Sequence, residues 1–353
     1  TEELLGRREV QEVFLHILKQ KGKVARILRL MHENGVLGRI LPEFAPLTCL
    51  VQHEFFHRYT ADEHTLVCLE QLDAMLDSKE PDLRKYAELY ARVEVPEILA
   101  LAMLLHDTGK AELSRHHEEV GAAHAARVAR RFHFWGRNLS LMTFLVDHHM
   151  TLGNFARQNL DEPETIRAFA RIVQDEEKLD LLMLISAADV RAVAGRNNWS
   201  SWRELLVWDL YTRTKRMLAG EEEFLRAEEE ERAGRARQVA TVLSGGFSEQ
   251  EMRNHLERMG PSYLRQCTAE LVARHIHAVH DFLERRVAGS EALVPLVVWQ
   301  DYPEEGHTEV IVVTWNREKL FSKIAGSFAV AGINILSANI FTRSDDVMVD
   351  TFR

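Results

Sequence analysis

The segment HEFFHRYTADEH, from His53 to His64, places three imidazoles within one short stretch. His53, Glu54 and His57 fit the spacing that sets two imidazoles on one helical face beside a glutamate, as in zinc peptidases. That chemistry needs its own continuous helix and a third ligand downstream. Thr60 and Glu63 instead read as a capping box opening a new helix, with Leu66, Leu69, Leu72 and Leu76 as its buried stripe. His53 and His57 then precede that helix and are expected on the surface or behind the ligands. His64 is left to act with residues elsewhere in the chain.

Four further segments supply partners. PEILALAMLLHDTGK has a proline suited to a first helical turn, is apolar on nearly every side from Ile98 to Leu105, and ends in His106 and Asp107. A carboxylate at the end of such a helix costs several kcal/mol unless a cation sits beside it. Lys110 follows directly after Gly109, either as a cation for a phosphate oxygen or as an ordinary solvated lysine. In RHHEEVGAAHAARVARRF, His117, Gly121 and His124 share one face, and the glycine allows close approach to the backbone. SLMTFLVDHHM ends in His148 and His149, and LDLLMLISAADV carries Asp189 near its end. Each donor alone is read equally well as a hydrogen-bonded core histidine or a helix-end aspartate. Together, apolar helices that each deliver a donor near an end are best explained by a buried metal centre. Arg127, Arg130 and Arg131 form an exposed helix face or a nucleotide-holding one.

The elements that must position these donors are helical from Val13 to about Arg286, with apolar residues at three- and four-residue spacing and Gly or Pro between segments. The acidic run Glu221 to Arg232 reads as a solvated face. Beyond it LVPLVVWQ, TEVIVVTW and INILSANIF are β-branched and aromatic, interrupted by one helical segment from Lys319 to Ala331. DDVMVDTFR reads as a strand reaching Arg353 without a closing helix, so this small domain is expected to be truncated. The 353 residues carry 44 Lys+Arg against 54 Asp+Glu, a formal charge of -10 that argues against nucleic acid or anionic membrane as partner. Cys49, Cys68 and Cys267 are too few and too scattered for a disulfide framework and read as reduced thiols of a cytoplasmic protein. No apolar run reaches the ~18 residues of a membrane span.

HRYTADEHTL, LLHDTGK, HHEEVGA, FLVDHHM and SAADV together resemble the metal-dependent HD phosphohydrolases, and more narrowly the uridylyl-removing HD domain of the bifunctional PII uridylyltransferase family. VARILRLMHENGVLGRILPEF is similar to that family's lead-in, GPSYLRQCTAELVARHI to the segment after its HD domain, and TEVIVVTWNREKLFSKIAGSFAVAGINILSANIFT to its first ACT domain. The family's nucleotidyltransferase domain and second ACT domain have no counterpart here. The resemblance implies a mainly α protein: a helical lead-in over 1–52, an HD core over 53–215, a helical extension over 216–289 and a partial ACT-like, ferredoxin-like α+β domain over 290–353.

It also implies one divalent ion held by His64, His106, Asp107 and Asp189, and a second held by Asp107 as a bridge with His117, His148 and His149. His116 is the weaker neighbour of His117. Such donors suit Mn, Fe, Zn or Co better than Mg alone. Two ions activate water near neutral pH and neutralise both sides of a phosphate under in-line attack. The implied reaction is phosphodiester hydrolysis, removing a nucleotidyl group from a tyrosine of a PII-type signal protein and releasing UMP, with Asp107 and Lys110 as catalytic residues. Lys110, Arg127 and Arg131 would contact substrate. Asn316, Leu320, Gly332 and Asn334 would line an amino-acid effector site, although NREKL lacks the Asp-x-Pro-Gly type of turn found in many amino-acid-binding ACT domains. Because the small domain reaches Arg353 without its final elements, glutamine is expected to bind this chain weakly or not at all and to bind a complete ACT region. The alternatives are an HD–ACT enzyme acting on a free or cyclic nucleotide, and a non-catalytic ACT-based regulator.

Overall fold

The computed structural model describes residues 7–51, 59–77, 83–112, 116–194, 201–243, 247–287 and 294–353. His53, Glu54 and His57 lie outside the described residues. The chain divides into two compact units, Thr1–Ala219 and Gly220–Arg353. In the first, the described helices are α1 (Arg8–Leu18), α2 (Val24–Glu33), α3 (Leu37–Ile40), α4 (Ala61–Asp77), α5 (Arg84–Arg92), α6 (Pro96–Leu105), α7 (His117–Arg131), α8 (Gly136–His148), α9 (Thr151–Phe155), α10 (Pro163–Val173), α11 (Glu176–Ala194) and α12 (Ser201–Ala219), with tight 3-10 turns at Ala45–Leu47 and Thr108–Ala111. The second contains α13 (Glu221–Val242), α14 (Glu249–Arg258), α15 (Pro261–Gln266), α16 (Ala269–Val287), β1 (Leu296–Tyr302), β2 (His307–Trp315), α17 (Leu320–Val330), β3 (Ala338–Thr342) and β4 (Val347–Phe352). The protein is mainly helical with one small antiparallel sheet. No helix among the described residues is long and apolar enough to cross a membrane.

Helix α6 is the centre of the first unit. Proline opens it, and all its residues are buried, with Ile98, Leu99, Leu101, Met103, Leu104 and Leu105 each at 0% exposure. Burying six such side chains at roughly 1.5–3 kcal/mol each gives about 10 kcal/mol or more of gross transfer free energy. Helices α1, α4, α7, α8 and α11 enclose it. Its C-terminal end therefore releases His106 and Asp107 inside the bundle rather than at its surface.

Helix α4 starts at Ala61, as Thr60 predicts, and buries Leu66, Leu69 and Leu72. Its stripe then runs through fully buried Met75, leaving Leu76 half-buried. Glu63 turns to Arg29 at 2.8 Å, while Asp62 meets His32 at 3.0 Å, so the first turn of α4 is tied to α2. The acidic run of α13 is largely exposed, apart from fully buried Phe224.

In the second unit the strand order is β1-β2-β4-β3, all neighbours antiparallel. Strands β2 and β3 flank β4 as a split β-α-β pair, and β1 adds the edge beside β2. Alternation divides the faces. Ile311, Val313, Val347, Val349 and Phe341 join the core made with α15 and α16, whereas Phe352 on the other face meets Phe321 and Phe328 of α17.

Candidate metal centre

The ends of α6, α7, α8 and α11 and the first turn of α4 converge on Asp107. Its Oδ2 lies 3.4 Å from His106 Nε2 and 3.7 Å from His64 Nε2. Its Oδ1 lies 3.9 Å from His117 Nε2 and 4.0 Å from His149 Nε2. Asp189 Oδ1 completes the first side at 2.9 Å from His64 Nε2 and 3.8 Å from His106 Nε2. Donors about 2.1 Å from a common ion stand about 3 Å apart when cis and about 4.2 Å apart when trans, which brackets these separations. The donors fall into two sets, His64, Cys68, His106 and Asp189, and Asp107, His117 and His149, each within 4.8 Å of one another.

The tautomers also suit a metal. His106 Nδ1 is 2.7 Å from the Met103 carbonyl and His149 Nδ1 is 2.8 Å from the Val146 carbonyl. A carbonyl only accepts, so in both rings Nδ1–H donates outward and the Nε2 lone pair faces the centre, the orientation that second-layer hydrogen bonds give to metal-binding imidazoles. His106 Nε2 and His117 Nε2 are buried with no hydrogen-bond partner among the described residues. Burial costs of that kind are offset by a cation between the donors, and the residues fit a divalent ion on each side of Asp107.

Electrostatics match. Burial alone would raise the Asp107 carboxyl, but the positive potential of His106, Lys110, His149 and His64 holds it well below the usual carboxylate range. Burial pushes His106 down to about 4, against the pull of Asp107 and Asp189. Burial likewise lowers His117. Asp189 is desolvated too, yet its hydrogen bond from His64 keeps it below the ordinary value. Neutral imidazoles and ionised carboxylates are the forms that ligate metal.

The expected donors His64, His106, Asp107, His117, His149 and Asp189 are thus brought together. His148 is not among them: it is half-exposed, packs its ring on Phe144, and points Nδ1 at Thr151 (3.3 Å) and Nε2 at Asp147 (3.7 Å). His116 is exposed at the start of α7. Lys110 Nζ lies 2.7 Å from Asp107 Oδ2, so it is the cation the buried carboxylate requires. Arg131 forms a two-pronged pair with Glu43, both contacts 2.8 Å, and exposed Arg127 adds to the field on the same carboxylate. In the second unit Asn316 and Asn334 are exposed, Leu320 is half-buried, and Gly332 has φ +72 in the turn after α17.

Two contacts are not legible in the sequence. Cys68 reaches the centre because it stands one turn after His64 on α4. His124, buried on α7, sits outside the metal sets and braces the turn after α6, with Nδ1 3.0 Å from Thr108 Oγ1 and Nε2 3.0 Å from Glu112. Contact between that turn and α7 depends on glycine: a Cβ on Gly109 would stand 1.9 Å from the His117 carbonyl oxygen.

No family model matches the chain. Curated proteins do. It is 32% identical over 346 residues to the bifunctional uridylyltransferase/uridylyl-removing enzyme of Ectopseudomonas mendocina, 96% of this chain and 38% of that protein. The proteins of the same name in Pseudomonas fluorescens (31% over 348 residues) and Cereibacter sphaeroides (30% over 357 residues) are matched over 96% and 99% of the chain. The chain spans 37% to 38% of the length of these relatives.

Proposed function

We propose that this chain is an HD-type metal-dependent phosphodiesterase that removes a uridylyl group from a tyrosine of a PII-type signal protein, releasing UMP, in the cytoplasm. One observation carries the reading: Asp107 offers one oxygen to His64 and His106 beside Asp189, and the other to His117 and His149. The relatives that align with nearly the whole chain are named for a uridylyl-removing activity, which supports the substrate class.

In this reading His64, His106, Asp107 and Asp189 hold one ion, and Asp107, His117 and His149 hold the other. His148 is left out of the ligand set. Bound divalent cations would supply Lewis-acid stabilisation of the charge that develops in displacement at phosphorus. The chain's own residues fix the geometry. The Met103 and Val146 carbonyls hold His106 and His149 in the ligand tautomer, and Lys110 balances the charge of Asp107. In a complete ACT region, an effector such as glutamine would bind at the turn before α17 and the one after it.

The test is UMP release from a uridylylated PII-type protein with Mn²⁺, Co²⁺, Zn²⁺ or Mg²⁺, alongside free nucleotides and cyclic nucleotides. Release of UMP that disappears in Asp107→Asn supports the reading. Turnover of free nucleotides alone would overturn the substrate, and metal-loaded protein inert toward every phosphoester would overturn the reaction.

A further inference from the structure

We propose that Cys68 is a thiolate ligand on the His64, His106 and Asp189 side of the centre, making that half a nitrogen, oxygen and sulfur site that favours thiophilic ions over Mg²⁺ and Mn²⁺. The inference rests on the metal-centre reading above and extends it by one donor and by a selectivity. Cys68 follows His64 by four residues, so α4 presents both side chains on one face. The thiol is wholly buried, and Sγ lies 3.5 Å from His64 Nε2. A sulfur about 2.3 Å and a nitrogen about 2.0–2.1 Å from one ion stand about 3.1–3.8 Å apart at angles between about 90° and 120°, which brackets that separation.

Hydrogen bonding does not account for the cluster as well. Asp189 Oδ1 at 2.9 Å and Cys68 Sγ at 3.5 Å both face His64 Nε2, which has at most one proton to give. His106 Nε2, wholly buried and with no hydrogen-bond partner among the described residues, aims into the same donor set independently of the cysteine. A single cation replaces these competing contacts with bonds to His64, Cys68, His106 and Asp189, beside the shared Asp107. Ligation exchanges the S–H bond for a sulfur–metal bond, and the proton leaves to solvent. A thiolate is a soft ligand, so its presence shifts preference toward Zn²⁺, Co²⁺ or Fe²⁺. A cysteine that only fills the core as a small apolar side chain would do none of this.

Co²⁺ added to chelator-stripped protein is the probe. We expect a near-ultraviolet sulfur-to-cobalt charge-transfer band together with visible bands of bound cobalt. Cys68→Ala should lose the charge-transfer band while keeping the visible bands, and its Zn²⁺ affinity should fall at least about tenfold relative to its Mn²⁺ affinity. Should Cys68→Ala fail to fold, a Cys49→Ser/Cys267→Ala variant decides, because its only remaining thiol is Cys68 and it must retain the band. Visible cobalt bands without charge transfer would overturn the cysteine assignment and leave the metal centre standing. No cobalt binding by the unaltered chain would overturn both.

Discussion

Asp107 is buried at 2% side-chain exposure with Lys110 and four imidazoles around its two oxygens, so removing its charge disturbs both sides of the centre at once. Asp107→Asn keeps the shape and loses the anion. We expect it to weaken Mn²⁺ binding by about 100-fold in calorimetry, and unchanged affinity would refute the shared-ligand assignment. The two adjacent histidines give a sharper contrast. Neighbouring helical residues point ~100° apart, and sequence alone offers no phase for choosing between them. Packing supplies it: His149 is 2% exposed with Nδ1 tied to Val146, while His148 leans on Phe144. His149→Ala should cost about 10- to 100-fold in metal affinity and His148→Ala little, read in the same titrations. Six donors were legible because carboxylates and imidazoles at the ends of apolar segments demand partners. Cys68 was not, since a cysteine one turn after His64 looks the same in sequence whether it ligates or only fills the core. His124 stands on the face of His117, but its bond to Glu112 is not legible for a different reason, as it depends on how the turn after α6 folds back on α7.

At the scale of elements, periodicity located α4, α6, α7, α8 and α11 because each buries a stripe or a whole surface in one core, and the strands because β-branched runs stand between turns. Strand order was only partly legible: β1 and β2 form a local hairpin across the short turn at 303–306, but β4 enters between β2 and β3 through a pairing that local sequence does not encode. The close approach of the 3-10 turn at Thr108–Ala111 to the start of α7 is equally a tertiary fact. Its glycine makes a strong test: Gly109→Ala sets a methyl against the His117 carbonyl oxygen, and backbone rather than a flexible side chain must move. We expect a loss of about 1–3 kcal/mol in thermal unfolding together with weaker Mn²⁺ binding, because the displaced elements carry Asp107 and His117. A variant with unchanged stability and metal affinity would show that the contact positions nothing. In the second unit a buried chain joins α14, α15, α16 and β4. Arg343 donates to His255 Nδ1 (3.2 Å), His255 meets the Tyr263 hydroxyl (3.0 Å), that hydroxyl meets His275 Nδ1 (3.0 Å), and His275 Nε2 meets Thr351 (2.7 Å). An arginine only donates, so His255 accepts at Nδ1 and must donate from Nε2 to Tyr263. Tyr263 therefore gives its own proton to His275, which donates on to Thr351, and every tautomer follows. Tyr263→Phe leaves two buried ring nitrogens unpartnered and should cost about 1–3 kcal/mol in denaturant unfolding of this unit.

For the whole molecule, metal should act on one unit while acid acts on both. The donors of the proposed centre all lie within Thr1–Ala219, so metal at about 100 times its dissociation constant should stabilise that unit by about 2.7 kcal/mol, and chelation should remove it. Acid should act on the first unit through buried His106, and more strongly on Gly220–Arg353 through two histidines. There burial, aided by Arg343, holds His255 at about 3, and burial, aided by Arg274, holds His275 at about 3. Both imidazoles stay neutral in the folded unit while the unfolded chain takes up protons below about 6.5, so stability is fully present above that pH and falls as pH drops toward 3. Asp350 opposes them. It is wholly buried on the sheet face opposite α16, neither oxygen has a well-formed hydrogen bond, and burial pushes it up to about 7, the Phe341 amide offsetting only part. Between about 4 and 7 the folded state therefore holds a proton on Asp350 that the unfolded chain has lost, and this contribution to stability declines as pH rises. Near pH 5 two histidine terms outweigh one carboxyl term, leaving a net difference of about one proton and a slope of about 1.4 kcal/mol per pH unit. Asp350→Asn deletes the opposing term, so the slope should roughly double, to about 2.8 kcal/mol per pH unit. Hydrogen exchange resolved by unit, followed from pH 4.5 to 6.5 in the unaltered chain and the variant, measures both slopes. Equal slopes would show that Asp350 is already ionised in the folded sheet, held by a partner that its burial beneath α17 gives no reason to expect.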